Sequence, residues 1–204
     1  MIKADNRQTQ RTEATKAKLI AVARQLFVAH GFAGVPAEMI VQQAGLTRGA
    51  LYHHFGGKEG LFAAVHEALQ QEVTARINTA ATAQPDVWSG LRAGCHAFLR
   101  ACVEPAVQQI MLLDAPVVLT WEEWRAVDAR YGLGSLKEGL QAAIDSGDLP
   151  SQPLDALAHV LVGAMNEAAM WIARSPTPEA ALAQAITVLD TMLEGLRVKL
   201  PSSL

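Results

Sequence analysis

The chain has 204 residues, half of them hydrophobic, with two cysteines and a formal net charge of −3. That length suits one helical domain of ordinary size beside a smaller one. The start, Met1 to Arg7, is polar without a signal-peptide core, and no apolar run approaches the ~20 residues of a membrane helix, so the expectation is a cytoplasmic protein with no membrane contact.

Residues 1–11 read as a flexible polar arm whose Lys3, Arg7 and Arg11 follow a phosphate backbone, enter the minor groove or belong to an ordinary disordered end. A first helix is expected from Thr12 to His30, with Leu19, Ile20, Ala23, Leu26 and Phe27 as its inner stripe and Gly31 as its stop. Met39, Ile40, Val41 and Ala44 make the apolar face of a second, short helix. Gly45 supplies the left-handed position that ends it, and Thr47 is placed to cap a third. In that third helix Ala50, Leu51 and Phe55 fall on the inner side, while Arg48, Gly49, Tyr52 and His53 stay outside. Two helices about a tight glycine turn form a helix-turn-helix, whose second helix enters the DNA major groove.

The outer residue types suit a polyanion. Arg48 can fork onto a guanine edge or a phosphate, and Thr47, Tyr52 and His53 can donate to phosphate oxygens. Gly49 and Ala50 have almost no side chain, which lets the helix sit deep in a groove. Lys58 opens the next helix, where its charge and the free N–H groups favour a phosphate. The charge is lopsided: residues 1–58 hold eight Lys/Arg against three Asp/Glu, so the remainder of the −3 chain is strongly acidic. A basic end on an acidic chain marks where a polyanion docks.

The fourth helix is expected from Lys58 to about Ala80, ending in a break at 79–85. Helices follow over 86–103 and from Pro105 to Leu113, with a break at Asp114-Ala-Pro. Thr120 with Glu123 reads as a capping box opening a helix to about Ser146, with a kink at Gly132-Leu-Gly134. After a loop at 147–153 come two long helices, Asp155 to about Ala173 and Thr177 to about Lys199. No segment reads as a strand, so the fold class is all-α with about nine helices: a DNA-binding domain over residues 1–60 and a larger helical domain over 61–204.

The last two helices are apolar over more than one face, and a helix apolar on two sides must bury both. A second protomer packed on residues 153–199 is the expected cover. His96, Phe98, Met111, Trp121, Trp124, Met165, Asn166 and Met170 form an aromatic and methionine set with a few polar groups; that suits a small apolar effector, and the same residues also serve as ordinary core. Cys95 and Cys102 lie too far apart along one helix for a disulfide and read as reduced thiols. No metal, cofactor or catalytic residue is assigned, because Cys-x-x-Cys, His-Glu-x-x-His, Gly-x-Ser-x-Gly and a phosphate-cradling glycine loop are all missing.

The run Ala44-Gly-Leu-Thr-Arg-Gly-Ala-Leu-Tyr-His-His-Phe55, with Lys58-Glu59 and Leu61-Phe62 behind it and Ile20, Ala23, Leu26, Phe27, Gly31 and Phe32 ahead, resembles the DNA-binding domain of the tetracycline-repressor (TetR) family of transcriptional regulators. The resemblance covers about residues 13–65. It implies a homodimer held by its last two helices, bound to double-stranded DNA at a palindromic operator and released by a small-molecule effector, most simply a repressor and not an enzyme. One departure stands out. The family places Thr or Ser around positions 35 and 36, where this chain has Val35 and Pro36, so no phosphate contact is assigned to 35–37. That departure is the sole support for the alternative, a helical ligand-binding or interaction protein that has lost specific DNA binding.

Overall fold

The computed structural model describes the backbone of residues 2–197 and the side chains of residues 8–197. Among them every regular element is helical: α1 (Ile2–His30), α2 (Ala37–Ala44), α3 (Arg48–Phe55), α4 (Lys58–Thr82), α5 (Val87–Ala101), a π-helical segment (Val107–Asp114), α6 (Ala115–Val118), α7 (Trp121–Arg130), α8 (Gly132–Asp145), α9 (Leu154–Arg174) and α10 (Pro178–Leu196). The all-α class is as expected, with α6 a four-residue continuation of the π-helical segment.

Four boundaries differ from expectation, each for a local reason. The arm expected over residues 1–11 is helical from Ile2, because α1 contains no glycine or proline before Gly31 and its polar residues tolerate a helix. The side chains of Lys3 and Arg7 lie outside the described residues. The expected break at 79–85 shrinks, because Thr79 and Thr82 turn their hydroxyls back onto the Ala75 and Asn78 carbonyls (2.8 Å each) and α4 continues to Thr82. Asp86 then caps α5, accepting from the Ser89 amide at 2.8 Å. Asp114-Ala-Pro does not break the chain: a new α-helical register begins there, and Pro116 falls in its first turn, where the missing N–H costs nothing. The single helix expected from Thr120 to Ser146 is two, α7 and α8, parted at Tyr131. Lys199, the expected end of the last helix, lies outside the described residues.

The chain divides into two compact units. The first comprises residues up to Leu69 together with Gln109–Trp121. Its core is built on Leu19, Phe27, Ile40, Leu51, Leu61 and Phe62, all fully buried; of the residues the spacing places inward, Met39 is instead exposed, because it lies at the edge of the short α2, and Ile20 and Phe55 are half-buried. Phe27, Phe32 and Phe62 form an aromatic triangle with centroids 5.2–5.7 Å apart. α1 ends at Gly31, in the left-handed region at φ 67°. The next residue, Phe32, donates its amide to Asp114 Oδ2 at 2.8 Å, and its carbonyl accepts from Lys58 Nζ at 3.0 Å.

The second unit comprises Gln70–Gln108 and the residues from Glu122 onward. Trp88, Leu99, Leu140, Leu161, Ile172 and Leu193 anchor a core shared by α5, α8, α9 and α10. Cys95, in that core, and Cys102, at the end of α5, are free and buried, and burial pushes both thiols up to about 12. α9 corrects one expectation. An 18-residue window within Leu154–Arg174 has a mean hydropathy of 1.3, so by length and composition this helix could cross a membrane. Asp155, His159 and Asn166-Glu167 interrupt the apolar run, so the residue pattern alone does not mark this helix. Only 28% of that window is buried, which leaves apolar surface uncovered.

His66 in α4 is fully buried within the first unit, and neither ring nitrogen has a hydrogen-bond partner among the described residues. Burial drives its pKa from 6.5 down to about 4, against a small opposing pull from Glu67. The neutral form is therefore the folded form. Its stability contribution is complete above pH 6.5 and is lost as pH falls toward 4, on the order of 3 kcal/mol across the window. Urea titrations at neutral pH and at pH 5 should give a lower midpoint at pH 5, and His66→Phe should remove most of that difference. An equal pH response in the variant would assign the acid sensitivity to other groups.

Candidate nucleic-acid interface

The turn between α2 and α3 is fixed by backbone geometry. Gly45 adopts φ 60°, ψ 37°; its amide donates to Gln42 O at 3.1 Å, and the Leu46 amide donates to Val41 O at 2.9 Å. These two bonds make a Schellman helix end, which needs the left-handed residue that glycine supplies without strain. Two residues later Thr47 is extended (φ −97°, ψ 155°), and its Oγ1 accepts from the Ala50 amide at 3.2 Å, starting α3. α2 starts differently. Pro36 holds its N-cap position with no side-chain bond, and Val35 beside it is fully buried. Val35 therefore serves the core, and the helix begins without the hydroxyl cap.

α3 presents the expected outer face. Thr47, Arg48, Gly49, Tyr52 and His53 are exposed, Ala50 is half-buried, and Leu51 is fully buried beneath them. Arg48 is held on this surface from two sides. Its Nη1 lies 2.8 Å from Glu38 Oε1, and its Nη2 donates to Tyr52 Oη at 3.3 Å, with the guanidinium 5.3 Å from the Tyr52 ring centroid. The Tyr52 hydroxyl first, and Glu38 second, push the Arg48 pKa further up. Glu38 was not singled out in the sequence, because its approach to Arg48 depends on how α2 packs on α3.

Lys58 differs from the other six assigned residues. It is half-buried, bonded to the Phe32 carbonyl, and 3.8 Å above the Phe32 ring. It stands at the start of α4 as expected, but its ammonium has a partner inside the domain.

The residues assigned to an effector are divided between the two units. Met111, buried, and Trp121, 68% exposed, belong to the first unit. In the second unit His96 is bound to Asp190 (2.7 Å), which Arg92 also grips through Nη2 at 2.9 Å. Arg92 foremost, with His96, holds the Asp190 carboxyl below the usual carboxylate range. Phe98 packs against the second core, and Trp124, Asn166 and Met170 are half-buried. Met165 alone of the eight lines the groove of about 290 Å³ found between α5, α9 and α10. The rest of its wall includes Leu99, Trp171, Val188 and Met192, with Gln184 as the polar member.

Comparison with known proteins joins the two units to one family. Residues 19–65 match the bacterial regulatory proteins of the tetR family, and residues 88–196 match the tetracyclin repressor-like C-terminal domain. The chain belongs to the TetR family. A TetR-family transcriptional regulator from Pectobacterium atrosepticum has the same fold, with a TM-score of 0.81 at 36% identity over 94% of this chain and 98% of that one. The TetC protein of transposon Tn10 from Escherichia coli is 27% identical over 78% of this chain and 80% of its own length. The transcriptional repressor AcnR of Corynebacterium glutamicum is 37% identical over 63 residues, 31% of each chain. TetR-family membership makes α2 and α3 the DNA-binding helix-turn-helix of a transcriptional regulator, and the family is one of regulators and not of enzymes.

The geometry separates capping from contact. Thr47→Ala removes the bond that starts α3 and should lower stability by about 1 kcal/mol, read as a reduced melting temperature. Lys58→Met removes a charged donor from the Phe32 carbonyl and should cost ~1.5–3 kcal/mol in the same assay. A Lys58→Met melt identical to wild type would mean that this bond does not hold the domain together.

Proposed function

We propose that the chain is a repressor that binds a palindromic operator as a homodimer and is released by a small-molecule effector, with residues 1–60 contacting DNA and 61–204 serving dimerisation and effector binding in the cytoplasm. The observation that carries the DNA half is the uncovered polar face of α3, Thr47, Arg48, Gly49, Tyr52 and His53, set on a buried Leu51. Arg48 reads a base edge; Thr47, Tyr52 and His53 serve the phosphate backbone; Gly49 and Ala50 allow close approach. Lys58, at the start of α4, serves a phosphate by exchanging its bond to the Phe32 carbonyl. The AcnR relative, named as a repressor, supports the direction of control.

The dimer reading rests on α9 and α10. Val160, Trp171, Val188 and Met192 are exposed large hydrophobics, and the open groove beside them is almost wholly apolar. Such a surface on one side of two adjacent helices is what an isologous interface buries. Gly163 is exposed, and a Cβ built there meets nothing within 4 Å, so a substitution is tolerated by the monomer. Gly163→Glu and Val188→Glu should therefore keep the helical content while converting dimers to monomers in sedimentation. Wild-type monomers at micromolar concentration would contradict the reading.

Duplexes recovered from a randomised library test the DNA half. The wild-type chain should select an inverted repeat with half-site centres ~34–36 Å apart or somewhat more. Arg48→Ala should lose roughly 5- to 150-fold in operator-over-random preference. Equal loss on operator and random duplex would make Arg48 a phosphate contact. The effector half follows from linkage: a ligand that releases operator must bind ~5- to 150-fold more weakly when operator is present. Titration of a candidate apolar effector with and without the selected duplex measures this, and identical affinities would rule that compound out as the switch.

A further inference from the structure

The ion pair between α2 and α3 bears on how α3 reads DNA. Glu38 lies in the first turn of α2 and reaches across to Arg48, the first residue of α3. A guanidinium has five N–H donors. Glu38 takes one and Tyr52 takes another, which leaves enough for a forked contact outward. Both members of the pair are 62% exposed, so the bond is solvent-screened and easily exchanged. It does not lock the fold.

What the bond changes is the competition for Arg48. A phosphate oxygen and a carboxylate oxygen offer a guanidinium the same kind of acceptor. Without Glu38, Arg48 would settle on the backbone of any duplex, and the contact would carry no sequence information. With Glu38 in place, a phosphate must displace the carboxylate and approach a like charge. A guanine edge, with O6 and N7 as neutral acceptors, needs only the donors that remain. Glu38 therefore costs backbone affinity and spares base reading.

We propose that Glu38 is a specificity-determining residue of this interface, holding Arg48 for a base edge and opposing its use as a phosphate clamp. The inference rests on α3 being the recognition helix.

The test uses the full chain, the duplex selected by the wild type as operator, and a random-sequence duplex of equal length, titrated across a salt series. Glu38→Ala should bind the random duplex more tightly, with a salt slope steeper by about one released ion. Its operator-over-random ratio should fall by ~5-fold or more, the lower end of one base contact. Glu38→Gln, whose amide oxygen still accepts from Arg48, should fall between the two. In an Arg48→Ala background, Glu38→Ala should leave the ratio unchanged. An unchanged ratio in Glu38→Ala alone, or the same drop in both backgrounds, would overturn the proposal and reduce Glu38 to a generic surface charge. Melting curves check that α2 is intact, and Glu38→Gln keeps the test open if the alanine variant unfolds early. A wild type that binds all duplexes alike would instead remove the recognition-helix reading itself, a result visible before any variant is compared.

Discussion

The first unit depends on what holds Phe32. Its amide is fixed by Asp114, its carbonyl by Lys58, and its ring by Phe27 and Phe62. One residue thereby ties the end of α1, the start of α4 and the end of the π-helical segment. The two kinds of contact contribute differently. Each hydrogen bond to a charged group is worth ~1.5–3 kcal/mol, and each aromatic pair about 0.5–1.5 kcal/mol beyond burial. Burial stabilises the cluster, but it is tolerant of small shifts. The two charged bonds are directional, so they set where α1 ends and where α4 begins. The helix-turn-helix lies in the chain between those two points, and its own turn adds only local constraints at Gly45 and Thr47.

Among the described residues, the outer faces of α3 and of α9 and α10 have opposite chemistry. The face of α3 is polar, carries Arg48, and lies in the basic part of the sequence. The faces of α9 and α10 are apolar and carry Trp171, Val188 and Met192. The first gains from charge and hydrogen bonds, depends on salt, and suits a hydrated partner that must be released. The second gains from area removed from water, ~25 cal/mol per Å², and suits a partner that stays. Under the proposed function, an operator and a second protomer are the two partners that meet these requirements.

How much of this was legible in the sequence follows from the range of each interaction. The helix-turn-helix was readable because its determinants are local: a 3.6-residue apolar period, a left-handed glycine and a threonine cap. α5, α9 and α10 were readable from the same periodicity. The π-helical register and the early start of α1 were not, because no capping residue or breaker marks them, and Pro116 reads as a breaker although it sits in the first turn of a helix, where its missing N–H costs nothing. Pairings that depend on how helices pack were invisible as well. Asp114 with Phe32, Asp190 with His96, and Glu38 with Arg48 each join residues that carry no mutual signal in the sequence. The effector set was the least legible part. Aromatic and methionine residues mark a pocket and a core equally well, and Met111 and Trp121 belong to a different compact unit from Met165.

The central claim is that duplex DNA meets the outer face of α3. Photo-crosslinking to a duplex carrying iodinated uracil, followed by peptide mapping, tests it without knowledge of the operator. The account predicts cross-linked peptides spanning Thr47 to His53, lost in competition with unlabelled duplex and at high salt. Cross-links confined to α7, α9 or α10, with the 47–53 peptide unmodified, would contradict it.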